Sequence, residues 1–141
     1  MCYSIYLSTD SSWDLSSENN ELLHFKQDAI KEPARSILKH DHQWYVGSKS
    51  GCSCTFRHLY SIELGFDEPV DWYPEDEDEL AATLSFIKIV RQLVDQGHRV
   101  DCVDVWNDTP GEILKRLDVN LNTVSNEQFR FFENCCFNFT N

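Results

Sequence analysis

Residues 79–106, ELAATLSFIKIVRQLVDQGHRVDCVDVW, decide the fold of this chain because they join an amphipathic helix to a strand through one short turn. Acidic residues before Leu80 suit the positive end of a helix dipole, and Gly97 is placed to end the helix. Apolar side chains recur at helical spacing between them: Leu80, Leu84, Ile87, Val90 and Val94, with Phe86 and Leu93 beside them. We therefore predict one long helix near residues 78–96, packed on a sheet through Leu84 and Ile87.

Other segments alternate or cluster as strands do. The predicted strands are residues 2–9, Leu22 to Phe25, Gln43 to Gly47, His98 to Trp106, and a closing hairpin around Glu133 with Cys135 and Cys136 on its second strand. Thr109-Pro110-Gly111-Glu112 has the signature of a helix start and predicts a short helix through about Leu117. The fold class predicted is α+β: a single domain over residues 1–141, with a mainly antiparallel sheet of about five strands packed against one long helix, plus short helices.

Composition restricts the classes of partner and the compartment. Twelve basic against 24 acidic residues give a formal net charge of −12, which repels nucleic-acid phosphates and anionic lipid heads. No window approaches the roughly 20 apolar residues of a membrane span. Six cysteines in a chain that begins Met1-Cys2, without a basic or apolar leader, favour reduced thiols in the cytosol. We therefore expect an acidic cytoplasmic protein that binds neither nucleic acid directly nor membranes.

Residues 44–56, WYVGSKSGCSCTF, contain the most informative local motif, in which an aromatic strand stops at Gly47 and two thiols follow one residue apart. We call residues 47–56 the thiol turn. If residues 52–54 are extended, Cys52 and Cys54 leave the same face of the backbone, about 6.6 Å apart at Cα. At that spacing, both thiols could ligate one metal ion or react with one oxidant.

Two motifs resemble those of a family of small uncharacterised bacterial proteins. They are Met1-Cys2 before the strand Ile5-Tyr6-Leu7-Ser8-Thr9, and Tyr45-Val46-Gly47-Ser48 before Gly51-Cys52-Ser53-Cys54-Thr55-Phe56. The family pattern has glycines where this chain has Ser53 and Thr55. The resemblance brings no activity with it, but it implies that Cys2, Cys52 and Cys54 form a set. We expect the strand of Cys2 to lie beside the strand ending at Gly47, with Cys2 within about 10 Å of Cys52 or Cys54.

Three chemistries fit such a set. A zinc site would use Cys2, Cys52 and Cys54, completed by Cys102 or by His58. A redox pair would use the two turn thiols between Lys49 and Arg57, whose charges favour thiolate. An N-terminal nucleophile would use Cys2 after removal of Met1. Against each stands the simpler interpretation that these cysteines are packed side chains and that Lys49 and Arg57 are exposed charges.

The function predicted is therefore a non-enzymatic module that binds a protein partner or a small ligand near the thiol turn, without catalytic residues or cofactor. The residues expected to form that site are Tyr45, Gly47, Ser48, Gly51, Cys52, Cys54 and Phe56. The alternative is a thiol-based zinc or redox protein that uses Cys2, Cys52, Cys54 and His58. Trp13, Trp44, Trp72 and Trp106 could line a ligand cleft, although large aromatic residues more often fill the core.

Overall fold

A computed structural model describes residues 3–27, 30, 34–49, 51–59, 66, 76–106 and 115–141. It has the predicted α+β class. Its elements are β1 (Tyr3–Thr9), a 3-10 turn (Leu15–Glu18), β2 (Leu23–Lys26), α1 (Ala34–Ile37), β3 (His42–Ser48), β4 (His58–Leu59), α2 (Glu77–Asp95), β5 (Val100–Trp106), β6 (Lys115–Asn120), β7 (Phe131–Phe132) and β8 (Cys135–Thr140). None of the helices among these residues is long and apolar enough to span a membrane.

The main sheet has six strands in the order β2-β3-β1-β5-β8-β6. All its pairings are antiparallel except that of β6 with β8. The central strand β1 lies between β3, where Ile5 pairs with Val46, and β5, where Ile5 pairs with Asp104. The expected pairing of the N-terminal strand with the strand that ends near Gly47 is therefore confirmed.

Helix α2 covers one face of the sheet. Asp76 caps it by accepting from the amides of Asp78 and Glu79, which fits the acidic entrance seen in the sequence. Its buried residues are Ala82, Thr83, Phe86, Ile87, Ile89, Val90, Leu93 and Val94. Burial of Ile87 is thus confirmed, whereas burial of Leu84 was wrong: Leu84 is only half-buried. The buried stripe is centred on Phe86, Val90 and Leu93, since a large cluster of phenylalanines faces that side.

The opposite face of the sheet carries a smaller core beneath α1. Tyr6, Val103, Val105 and Cys136 project there and pack with Ala34 and Leu38. Because both faces of β1 and β5 are covered, even polar residues of β1 such as Ser4 and Ser8 are buried. The alternating pattern of strand β1 therefore corresponds to two buried faces, each packed against its own core, and not to one buried face and one solvent face.

The C-terminal third departs from the prediction in two ways. The predicted short helix through Leu117 was wrong for residues 115–117, which belong to strand β6, while residues 109–114 lie outside the described residues. The predicted hairpin around Glu133 has its turn, with Asn134 at a φ of 55°, and Cys135 and Cys136 do lie on the following strand. Its first strand, however, pairs in parallel with β4 in a separate two-stranded sheet. Tertiary pairing, which leaves no local sequence signal, decides both features.

Candidate functional site

Ser48 holds the backbone of the thiol turn in a compact shape. Its Oγ donates to the carbonyl of Cys52 at 2.7 Å and accepts from the amide of Thr55 at 3.1 Å. Its own amide donates to the same Cys52 carbonyl at 2.7 Å, and the amide of Gly51 donates to the Ser48 carbonyl at 2.8 Å. The hydroxyl of Ser48 is therefore committed to the turn itself.

Two glycines of the turn are required by its geometry. Gly51 has a φ of +84°, a conformation that residues with a side chain rarely adopt. A Cβ on Gly47 would lie 2.9 Å from the Gly51 carbonyl oxygen. The hydroxyl of Tyr45 donates to that same oxygen at 3.1 Å. The glycines and Tyr45 thus shape the turn before they could serve any ligand.

Ser53 fastens the turn to the sheet. Its side chain is fully buried, donates to the carbonyl of Val46 at 2.5 Å and accepts from the amide of Ile5 at 2.9 Å. The hydroxyl therefore joins strands β3 and β1 at the point where their ladder ends. A glycine at this position could not make either bond.

The turn cysteines lie on either side of this anchor. Residues 52–54 form bends and turns, so the extended backbone assumed from the sequence was wrong. Cys52 and Cys54 are each half-buried, while Ser53 between them is buried. Cys2 lies outside the described residues, and its distance to the pair stays a prediction. Within the part of the chain that the structure describes, no group of three Cys, His, Asp or Glu side chains is arranged to hold a metal ion.

His58, the fourth ligand of the alternative zinc set, forms a buried ion pair. Its Nε2 lies 3.0 Å from Oδ2 of Asp104, and its Nδ1 lies 3.1 Å from the carbonyl oxygen of Phe56. The ring of Tyr3 stacks on the imidazole with centroids 4.1 Å apart. Both ring nitrogens therefore face acceptors, and ligation of a metal would require His58 to give up one of them.

The His58–Asp104 pair shifts the proton affinity of both members. Burial is the largest single influence on the pKa of His58 and lowers it, but the Asp104 carboxylate, helped by the Phe56 carbonyl and by Glu79, raises that pKa overall. Burial raises the pKa of Asp104, and His58 opposes only part of the rise. Each member of the pair therefore binds a proton more tightly in the folded protein than it would in water.

The other cysteines are poor nucleophiles. Burial raises the pKa of Cys135 to about 11, with Asp104 adding to the effect. Burial also raises the pKa of Cys102 and of Cys136. Since the thiolate is the reactive form, these three side chains are chemically quiet at neutral pH.

Arg57 differs from its expected role as an exposed charge. It is only 4% exposed, and its guanidinium donates to the carbonyls of Glu127 and Phe129. Its amide donates to Thr83 Oγ1 at 2.8 Å, which ties the turn to helix α2. Lys49 is exposed as expected and lies 3.1 Å from Asp78.

A cleft of about 410 Å³ lies between β2, β3 and the loop before the 3-10 turn. We call it the aromatic cleft. Its lining residues are Ser12, Trp13, Asp14, Ser16, Phe25, Lys26, Gln27, His42 and Trp44. Trp44 is 3% exposed, yet its indole Nε1 has no hydrogen-bond partner among the described residues. Two of the four tryptophans thus meet at one cleft, whereas Trp72 lies outside the described residues.

The chain matches no protein-family model, and no curated protein or solved structure is detectably similar to it. The resemblance to small bacterial proteins therefore stays a prediction. Sequence reasoning missed Asp104 as the partner of His58, because an aspartate within an apolar strand was the sole local sign of it.

Proposed function

We propose that the protein is a non-enzymatic cytosolic binding module and that its ligand occupies the aromatic cleft. The proposal keeps the binding role expected from the sequence and moves it away from the thiol turn. The hydroxyls of Ser48 and Ser53 and the phenol of Tyr45 already bond the turn itself, which leaves few polar groups there to recognise a ligand.

The single observation that carries the proposal is the indole of Trp44. A buried N–H group without an acceptor costs about 1–3 kcal/mol, and native proteins rarely leave one unexplained. Trp44 lines the aromatic cleft. An acceptor group on a ligand that reached this N–H from the cleft would satisfy the donor.

The lining favours a small neutral ring with acceptor groups at its edge, such as a sugar or a nucleoside. Trp13, which is half-buried, offers a flat apolar surface, while Lys26, Gln27 and His42 offer donors. A volume of about 410 Å³ suits one or two such rings. The net charge of −12 argues against a polyanionic ligand.

The chemistry of the remaining candidate groups supports binding over catalysis. Three cysteines have pKa values raised by burial, and both nitrogens of His58 face protein acceptors. A nucleophile or general base needs the opposite, namely a thiolate or an imidazole lone pair that faces the substrate.

The test is a titration with N-acetylglucosamine and with uridine, followed by the indole N–H signals of the ¹⁵N-labelled protein. We expect one probe to shift the Trp44 signal saturably, and Trp44→Phe to weaken its binding about tenfold, as measured by calorimetry. Tyr45→Phe is the matched control, because Tyr45 projects from the other face of the same strand. Equal affinities for the wild type and Trp44→Phe, or no response of the Trp44 signal to either probe, would overturn the proposal.

The thiol turn supports a second candidate function, a zinc or redox site. Cys52 and Cys54 are half-buried in a turn that Ser48 and Ser53 hold in one shape. Such preorganisation suits soft-metal ligation if Cys2 completes the set. Stoichiometric zinc in the purified protein, lost on Cys52→Ser with Cys54→Ser, would favour this function over the first.

A further inference from the structure

A second cleft, of about 510 Å³, opens at the end of the sheet where β1 and β8 end and β5 begins. We call it the basic cleft. The residues that surround it include the basic-type side chains Lys39, His40, His98 and Arg99, and the polar Asn138 and Thr140, beside the apolar Val94 and Phe139. Of the described residues that line it, none is Asp or Glu. A chain with twice as many acids as bases thus places four of its basic-type side chains at one concave surface.

We propose that the basic cleft binds a small phosphate or phosphate monoester. Lys39 contributes an ammonium group, and Arg99 contributes the planar donor fork that suits a phosphate. The imidazoles and the hydroxyl of Thr140 add further donors. The site is distinct from the aromatic cleft, for which a neutral ligand is proposed, whereas the ligand proposed here is an anion.

A buried polar network positions one wall of the cleft. The amide of Lys39 donates to Asp101 Oδ2 at 3.1 Å, and the amide of His40 donates to Ser8 Oγ at 3.2 Å. The hydroxyl of Ser8 in turn bonds Oδ1 of Asp101, and both side chains are buried. Two donors, the Lys39 amide and the Ser8 hydroxyl, engage this carboxylate below the surface, and the His40 amide bonds the same hydroxyl, so the network fixes the segment that carries Lys39 and His40.

A second aspartate positions the facing wall. Asp10 Oδ1 accepts from the amide of Arg99 at 3.0 Å and lies 3.2 Å from Nδ1 of His98. The hydrogen bond from the Arg99 amide lowers the pKa of Asp10, so this carboxylate stays ionised beside His98. Two further carboxylates lie close by and keep their charge: Asp95 lies 3.2 Å from Nδ2 of Asn141, and Asp118 lies 3.2 Å from Nδ2 of Asn138.

The negative charge of the rest of the protein limits the size of the anion that can bind. A small phosphate meets the local cations inside the cleft, where the field of the rest of the protein is screened beyond about 8–10 Å at physiological salt. A polyanion such as RNA would extend over the surrounding acidic surface and be repelled. The cleft therefore selects a small, compact anion.

The test is a titration of the ¹⁵N-labelled protein with inorganic phosphate and with glycerol 3-phosphate at fixed pH and constant ionic strength, with chloride as the balancing ion. We expect saturable shifts of the amides of Lys39, His40, Arg99 and Thr140. Arg99→Gln should weaken phosphate binding about tenfold, since a charge-assisted bidentate contact is lost. Lys39→Gln is a second variant on the facing wall. Lys115→Gln, an exposed lysine at the other end of the sheet, is the control with the same change in charge.

Stronger binding of glycerol 3-phosphate than of inorganic phosphate would assign the site to monoesters, and the reverse would assign it to the free ion. Shifts that do not saturate, equal shifts with chloride alone, or an equal loss of affinity in Lys115→Gln would overturn the proposal. Melting temperatures of the variants show whether each remains folded. Both substituted side chains are exposed, so we expect values close to the wild type.

Discussion

His58 Nε2 and Asp104 Oδ2 lie 3.0 Å apart in the interior, where the Asp104 side chain has no exposed surface. The pair joins the short strand β4 to the centre of the main sheet. Among the described residues, Oδ1 of Asp104 has no hydrogen-bond partner. The negative charge of this carboxylate is therefore compensated by His58. An ion pair held out of water is costly to break, because either partner alone leaves a buried group uncompensated.

The pair predicts that stability falls as pH rises above neutrality. Both groups bind a proton more tightly in the folded protein, since the pKa of His58 and that of Asp104 are raised. The contribution of His58 is complete below its unfolded pKa of about 6.5 and is lost as pH rises through its higher folded pKa, with a slope of up to about 1.4 kcal/mol per pH unit. Urea unfolding between pH 6 and 9 measures this slope.

Asp104→Asn should flatten that slope, because burial without the carboxylate lowers the pKa of His58. Asp118→Asn makes the same chemical change on an exposed residue and should leave the slope unchanged. A wild-type stability that stays constant or rises over this pH range would contradict the assignment.

Helix α2 predicts different costs for two aliphatic substitutions one turn apart. Ile87 is fully buried, so Ile87→Ala should lower the free energy of unfolding by about 2–5 kcal/mol through lost transfer and cavity terms. Leu84 is only half-buried, and Leu84→Ala should cost about 1 kcal/mol. Urea denaturation compares the two, and equal losses would mean that the buried face of the helix is misplaced.

Ser53→Ala should destabilise the fold although it removes only one oxygen atom. The amide of Ile5 and the carbonyl of Val46 would lose their buried partner, at a cost of about 2–4 kcal/mol. Ser17→Ala is the matched control, because Ser17 is exposed and its hydroxyl donates to the carbonyl of Asp14. Its loss should stay within about 0.5 kcal/mol. Similar stabilities of the two variants, measured by chemical denaturation, would show that Ser53 is not an anchor.

The double substitution Cys52→Ser with Cys54→Ser separates the packed and metal-bound interpretations of the thiol turn. We expect a loss of about 1 kcal/mol and no effect of a chelator on the wild type. A structural zinc site would behave differently, since its metal affinity contributes directly to folding. If a chelator lowered the free energy of unfolding by several kcal/mol in the wild type but not in the double variant, the metal site would be established.

Thiol reactivity should divide the cysteines into two groups. Iodoacetamide at pH 8, with labelled sites identified by mass spectrometry, should modify Cys52 and Cys54 well before Cys102, Cys135 and Cys136. Burial keeps the last three protonated, with the pKa of Cys135 at about 11. Early labelling of Cys135 in the folded protein would contradict the claim that burial keeps its thiol protonated and unreactive.

The sequence predicted those elements whose signals are local. Helix α2 begins at a charged cap and repeats apolar residues at helical spacing, and β1, β3 and β5 carry β-branched and aromatic runs. Strand β6 carries no such signal, because four of its six residues are exposed and its order comes from pairing with β8. The N-cap pattern before it therefore suggested a helix where the structure has a strand.

The sequence by itself determined the α+β class, the long helix, the glycine turn after β3 and the excess of acidic charge, because spacing, turn chemistry and composition act along the chain. Only the tertiary structure decided the rest. It brought His58 to Asp104 across 46 positions, placed Trp44 beside Trp13, and gathered Lys39 and Arg99 at one end of the sheet. The physical reason is that long-range strand pairing sets which distant residues become neighbours, and no local preference of His58 or Arg99 encodes that choice.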